Sequence, residues 1–297
     1  MKRHVVVIGK TGQLARALID RADSFNCQIE AYDREACDLS ASVAEISAFA
    51  DKLSQCDGII IAAAYTAVDA AEDDKDEAFQ VNGAAPDIFA RLCRDRSIPL
   101  IHVSTDYVFQ GDSKTPITVD APTDPINVYG LSKLEGETAI MASGARAAIL
   151  RTSWVYDGRG KNFLTTMLRL GETRHQLSVV ADQIGRPTYA GHLADACLIA
   201  LSALMDKPQL QGGIYHVSGT GPEISWADFA TAIFAATKDT RGHVVTVTPI
   251  PTLDYPTPAK RPAYSVLDNT SFEQAFNTRL PEWKEGLAAA LVEWRSQ

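Results

Sequence analysis

The chain has 297 residues, 46% of them apolar and 22% charged, enough to bury a sizeable core in one large domain or two modest ones. A formal charge of −9 argues against nucleic acid or an anionic membrane as the main partner, so any phosphate must be held by local donors. No apolar run reaches membrane-span length and the one after "MKRH" is too short for a signal peptide, while the five cysteines (Cys27, Cys37, Cys56, Cys93, Cys197) form no CxxC pair; a cytoplasmic chain with reduced, structural thiols is expected.

The first strand, "HVVVIG" (4–9), leads into a helix over 12–24, and "CQIEAYD" (27–33) and "GIIIAAA" (58–64) follow as strands. A helix over 75–96 precedes the strand "PLIHVS" (99–104), and a helix over 128–142 precedes "AAILRTS" (147–153). These apolar runs lack polar alternation, as strands do when helices cover both faces of a sheet. The βαβα order predicts an α/β fold, a Rossmann-type doubly wound parallel sheet.

After residue 153 the rhythm breaks. Helices are predicted over 161–173, 191–204 and 225–237, with strand and loop in "LSVVADQIGRPT" and a strand over 243–250. The strand "GGIYHVSG" (212–219) could rejoin the first sheet, "IPTLDYPTPAKRP" must be an extended loop, and helices over 270–276 and 282–295 close the chain. Residues 1–152 and 190–218 are therefore expected to form a dinucleotide-binding domain. Residues 153–189 and 219–297 would form a smaller, partly interleaved C-terminal substrate domain.

The first strand ends in "GKTGQLA" (9–15). Gly9 and Gly12 let the backbone approach a pyrophosphate closely, the helix start supplies free N–H groups, and Ala15 lets the helix pack on the sheet. A GxxGxxA match is weak alone; its place between first strand and first helix raises it. Asp33 ends the second strand, where an acid can hold an adenosine ribose diol. It would repel a 2′-phosphate, whereas Lys10 and Arg34 could offset that repulsion, so NADH and NADPH both remain open.

In "DPINVYGLSKLEGE" (124–137), Tyr129 and Lys133 lie four apart and share one helix face. An ammonium near a phenol favours the phenolate and would bring its proton toward the working pH range, and the same lysine could bond the nicotinamide ribose. Spacing alone fits a solvated helix-face pair equally well. Context favours chemistry: "PLIHVS" delivers Ser104, Thr105 and Asp106 at a strand's carboxyl end, where open α/β sheets bind ligands, and the helix with Tyr129 follows that strand. The small alanines of "IIIAAAYTAVD" (59–69) suit a flat ring passing close to the backbone. Together these residues compose a carbonyl-reduction site, with hydride from a nicotinamide, a proton from Tyr129, and Thr105 helping to stabilise the oxyanion.

"AAAYTAVDAAE", "VSTDYVF", "NVYGLSKLEGE", "RTSWVY", "NFLTTMLRL", "DQIGRPT" and "YPTPAKRP" together resemble the extended short-chain dehydrogenase/reductases, over residues 5 to about 294. Within them the chain is most similar to the enzymes that reduce the C4 ketone of a dTDP-linked 4-keto-6-deoxy sugar with NADPH or NADH. The resemblance implies a catalytic set of Thr105, Tyr129 and Lys133. It places Gly9, Thr11, Gly12, Gln13 and Leu14 around the cofactor pyrophosphate, Asp33 and Arg34 at the ribose, Asp38 and Leu39 beside the adenine, and Ala64, Tyr65 and Thr66 along the inner half. Val68, Asp106 and Trp154 would border the sugar, and Arg261 is a candidate for the substrate's diphosphate or an ordinary surface arginine.

Two departures stand out. Ala70 occupies a position that is often basic in the family, which bears on sugar contacts or loop docking. Ala17 replaces an acid that some members use at a metal-bridged dimer interface, so no metal is expected and a homodimer stays open. The six histidines show no ligand spacing, and Trp226, Trp283 and Trp294 fit helical packing positions. Asn82 could brace the active-site strands or simply sit at a turn. A reductase of another nucleotide-linked hexulose and a non-catalytic, nucleotide-binding regulatory subunit are the rival readings.

Overall fold

The structure, a computed structural model, describes residues 1–210, 212–240 and 243–296. Strand β1 (Arg3–Ile8) feeds α1 (Gln13–Arg21), and β2 (Cys27–Tyr32) feeds α2 (Val43–Lys52). β3 (Gly58–Ile61) is followed by α3 (Lys75–Phe79), a π-helical turn (Gln80–Ala84) and α4 (Ala85–Arg96). β4 (Leu100–Thr105), α5 (Val128–Ala142) and β5 (Ala147–Thr152) complete the regular half. The five strands and Gly212–His216 form one sheet in the order 212–216, β5, β4, β3, β1, β2, with every pairing parallel.

Side-chain alternation along these strands serves two apolar layers. Val5, Val7, Ile60, Ile101 and Leu150 point to one core, and Val6, Ile8, Ile59, Ile61 and Ile149 to the other. The first layer is closed by α1 and by α7 (Ala190–Asp206), the second by α2, α4 and α5. Both sheet faces are dry, which is why the strands read as unbroken apolar runs.

The chain leaves β1 toward β2 on one side and returns to β3 on the other. Their carboxyl ends therefore open a crevice at the topological switch point.

Between and beyond these elements lie α6 (Phe163–Leu170), α8 (Trp226–Ala236), α9 (Thr270–Phe276) and α10 (Trp283–Arg295). Short pairings join Gln176–Val180 to Thr246–Ile250 and Ile184–Gly185 to Ile224–Ser225. A separate core of Leu164, Leu168, Phe229, Ile233, Trp283 and Leu287 lies among them. Phe272 and Phe276 of α9 instead pack into the α1/α7 layer of the sheet.

Two features depart from the expected elements. Helix α2 was not among those predicted, although Ser42 and Glu45 announce it: Glu45 N donates to Ser42 Oγ at 3.3 Å and Ser42 N to Glu45 Oε2 at 3.0 Å, a reciprocal cap. The single helix expected over 75–96 is interrupted by the π turn at Asn82.

Candidate active site

A cleft of about 810 Å³ runs along the carboxyl ends of β1, β3, β4 and β5. At its floor Gly9 has φ +111, and a Cβ there would lie 3.0 Å from Ala63 N, so only glycine fits where β1 and β3 end side by side. Gly12 caps α1 in extended conformation without a side-chain hydrogen bond, and a Cβ there would meet nothing within 4 Å. The first N–H groups of α1 thus face open space, which fits an anion such as a pyrophosphate. Arg16 braces the turn by donating to Thr11 O and pairing with Asp157 at 2.9 Å.

Asp33, Asp38 and Leu39 line the far end of the cleft with Arg34. Asp33 accepts from Ala36 N at 3.1 Å and lies 3.5 Å from Lys10 Nζ. Arg34 is well exposed and pairs with Asp38 at 3.3 Å and Glu77 at 3.2 Å. Both signs of charge meet where a ribose would lie. Cys37 lines this end too, but burial pushes its thiol up to about 12, leaving it unreactive.

Thr105, Tyr129 and Lys133 converge on the central wall. Asn127 Oδ1 accepts from Gly130 N at 2.8 Å and Glu72 Oε1 from Val128 N at 2.9 Å, fixing the first turn of α5. Gly130 and Gly136 bring that helix close: a Cβ would lie 2.1 Å from Tyr107 O and 2.1 Å from Asn82 O, respectively. Asn82 joins the walls, accepting from Tyr65 N at 2.9 Å and donating to Tyr65 O and Ser132 Oγ at 3.0 Å each. Its amide thus ties the loop after β3 to α5, while its backbone lies in the π turn.

The electrostatics differ from expectation at one point. Thr105 Oγ1 donates to Asp106 Oδ1 at 3.0 Å and accepts from Tyr107 N at 3.2 Å. Burial pushes the phenol above its ordinary value, opposed by the Thr105 hydrogen bond. Lys133 does not draw it down here, because Lys133 Nζ donates to Val103 O at 2.8 Å and lies 3.0 Å from His102 Nε2. Burial lowers Lys133 to about 8, and it depresses His102, so the imidazole is neutral and accepts from the amine. Asp106 is pushed up to about 6 by its own burial.

Ala64, Tyr65, Thr66 and Val68 line the wall contributed by the loop after β3, and Trp154 the opposite one. Trp154 has φ +50, a left-handed conformation that costs a bulky residue about 1–3 kcal/mol and persists only where its surroundings enforce it. Arg261 does not line the cleft. It pairs with Asp69 at 2.6 Å, while Ala259 N donates to Asp69 Oδ1 at 3.2 Å, so the proline-rich loop docks through Asp69 beside Ala70. Ala17 is buried in the α1/α7 layer, where a carboxylate would be expensive to desolvate.

Ser104, which the sequence places at the end of its strand, lines the cleft, and so do Thr152, Ser153 and Lys161, to which no role was assigned. Ser104 Oγ and Thr152 Oγ1 are buried without a hydrogen-bond partner among the described residues, ready to meet a ligand's polar groups. Nothing local marks Lys161.

The parallel sheet, the glycine turn at its switch point and the paired Tyr129 and Lys133 define a Rossmann-type extended short-chain dehydrogenase/reductase. A family model described as the RmlD substrate binding domain matches residues 2–296, and the chain belongs to that family. The chain is 42% identical over 282 residues to the dTDP-4-dehydrorhamnose reductase of Sinorhizobium fredii, covering 95% of this chain and 94% of that one. With the Escherichia coli K12 dTDP-4-dehydrorhamnose reductase it shares 36% identity over 294 residues, 98% and 97% of the two chains. The crystal structure of the Bacillus anthracis dTDP-4-dehydrorhamnose reductase in complex with NADP superposes with a TM-score of 0.89 at 34% identity, covering 99% of this chain and 100% of that one. The Thermus thermophilus UDP-glucose 4-epimerase complexed with NAD, at 20% identity and TM-score 0.80 over 98% of this chain and 99% of that one, shares the fold.

Proposed function

We propose that the chain is an NAD(P)H-dependent dTDP-4-dehydrorhamnose reductase, converting dTDP-4-dehydro-L-rhamnose to dTDP-L-rhamnose. The observation that carries the reading is the convergence of Thr105, Tyr129 and Lys133 on one wall of a cleft whose other end is a glycine-lined helix start. The chain's similarity over nearly its full length to reductases of this name supplies the substrate class.

In this reading Gly9, Thr11, Gly12, Gln13 and Leu14 hold the cofactor pyrophosphate, Asp33 and Arg34 the adenosine ribose, and Asp38 and Leu39 the adenine edge. The nicotinamide, when bound, supplies the hydride to C4. Tyr129 gives its proton to the carbonyl oxygen. A phenol kept protonated by burial is loaded for that role at neutral pH, and Thr105 holds it in line. The departing proton leaves a phenolate that Lys133, turning from Val103 O and His102, can neutralise as it bonds the ribose. Val68, Asp106 and Trp154 shape the sugar's place. Arg261 serves the substrate's diphosphate only after exchanging its contact with Asp69.

Incubation with NADPH and dTDP-4-dehydro-L-rhamnose, followed as loss of nicotinamide absorbance, tests the reading. Tyr129→Phe should lower kcat about 100-fold or more, the scale of lost general-acid catalysis, with cofactor affinity held within about twofold. Wild-type turnover that survives undiminished in that variant would remove Tyr129 as the proton donor.

A further inference from the structure

One wall of the cleft rests on a tryptophan that does not itself reach it. The Trp154 and Trp226 rings are stacked, with centroids 3.6 Å apart and planes 11° from parallel. Trp154 lines the cleft; Trp226 lies outside it.

Two further contacts bear on the pair, one on each ring. A Cβ at Gly185 would fall 2.6 Å from Trp154 Cε2, 2.8 Å from Cζ2 and 3.0 Å from Nε1, so the backbone there lies directly against the indole. Gly185 pairs with Ile224, and Ile184 with Ser225, in an antiparallel rung from which Trp226 emerges as the first residue of α8. Ser225 fixes that start by accepting from Asp228 N at 3.1 Å while Asp228 Oδ2 accepts from Ser225 N at 2.9 Å. Phe163 packs on Trp226 with centroids 4.6 Å apart. The same short rung therefore meets the indole twice, through Gly185 and through Trp226.

A left-handed backbone at a residue as large as Trp154 has no local cause and must be imposed by its neighbours. Stacked aromatics supply directional attraction beyond buried area. We infer that Trp226 is a positioning residue for sugar binding: it holds the Trp154 indole in the one orientation that faces the sugar nucleotide. This inference rests on the proposed reductase reading, in which Trp154 borders the sugar.

Steady-state kinetics on the full chain test it, with dTDP-4-dehydro-L-rhamnose and NADPH varied separately. Trp226→Leu should raise KM for the sugar nucleotide about tenfold, leaving KM for NADPH within about twofold, while Trp226→Phe, which keeps a stackable ring, should recover most of the loss. A Trp154→Ala/Trp226→Leu double variant should have the same sugar KM as Trp154→Ala alone, because Trp226 acts only through Trp154. Equal weakening of both substrates, a sugar KM unmoved by Trp226→Leu, or additive losses in the double variant would overturn the inference. If Trp226→Leu does not fold, Trp226→Phe carries the test, with about a threefold rise in sugar KM and none for NADPH expected; an unchanged sugar KM there overturns it. Failure of the functional reading is seen separately, as wild-type protein that turns over no dTDP-linked 4-keto sugar.

Discussion

Lys133 sets chemistry against stability, and replacing it should reveal both. The residue is 1% exposed, and burial lowers its amine from 10.5 to about 8. At 1.36 kcal/mol per pH unit, burying the charged form at pH 7 costs about 3 kcal/mol. Methionine at this position fills similar space and removes that burden, but it also removes the hydrogen bonds to Val103 O and His102 Nε2, about 1 kcal/mol each. Lys133→Met should therefore be more stable than wild type by about 1 kcal/mol at pH 7.

Between pH about 8 and 10.5 the folded state carries fewer protons on this amine than the unfolded chain, so wild-type stability rises with pH across that window. By pH 10 the burial penalty has fallen to about 1 kcal/mol, and the variant should be the less stable protein by a similar amount. Urea unfolding of both proteins at pH 7, 8.5 and 10 measures the difference, in which every other titrating group cancels. The variant should meanwhile lose cofactor affinity and turnover. A stability difference that does not change with pH would refute the argument, because it would mean that the amine is not desolvated.

Two other substitutions probe the frame of the site. Arg151 and Glu137 form a buried pair, with Nη2 to Oε2 at 2.6 Å and Nε to Oε1 at 2.9 Å, so Glu137→Ala strands a buried guanidinium and should lower unfolding free energy by about 3–5 kcal/mol in denaturant titration. A loss under about 1 kcal/mol would show that water reaches Arg151. Gly136→Ala places a methyl against the Asn82 carbonyl and must push α5 off the π turn. A displacement near 1 Å at Tyr129 should lower kcat about tenfold or more, and wild-type kcat would show that the helix yields elsewhere.

Much of this was legible in the sequence because its signals are local. The apolar runs of β1 to β5 need only their own composition, and the glycines of 9–12 need only the strand before them and the helix after. Tyr129 and Lys133 were readable from spacing together with the strand that precedes their helix. The direction in which Lys133 points was not. His102 lies on β4, 31 residues earlier, and its neutral ring takes the amine only once the strand and α5 are packed. The ion pair of Arg261 with Asp69 spans 192 residues, beyond any pattern rule. The π turn escaped because Gln80–Ala84 keeps helical composition, and only the approach of Gly136 and the bonds of Asn82 distinguish it. Helix α2 is different: its Ser-x-x-Glu start was present and went unread.

The sheet is not finished by the first half of the chain. Its edge strand Gly212–His216 and its covering helix α7 arrive only after the chain has already entered the separate core with Leu164 and Leu168, and α9 returns once more from beyond it. A fragment ending after β5 would expose the apolar face that α7 seals and leave β5 as a bare parallel edge. The sheet and the separate core of Leu164, Phe229 and Trp283 are thus sewn together by several crossings of one thread. Cutting out the segments that build either should therefore unravel part of the other.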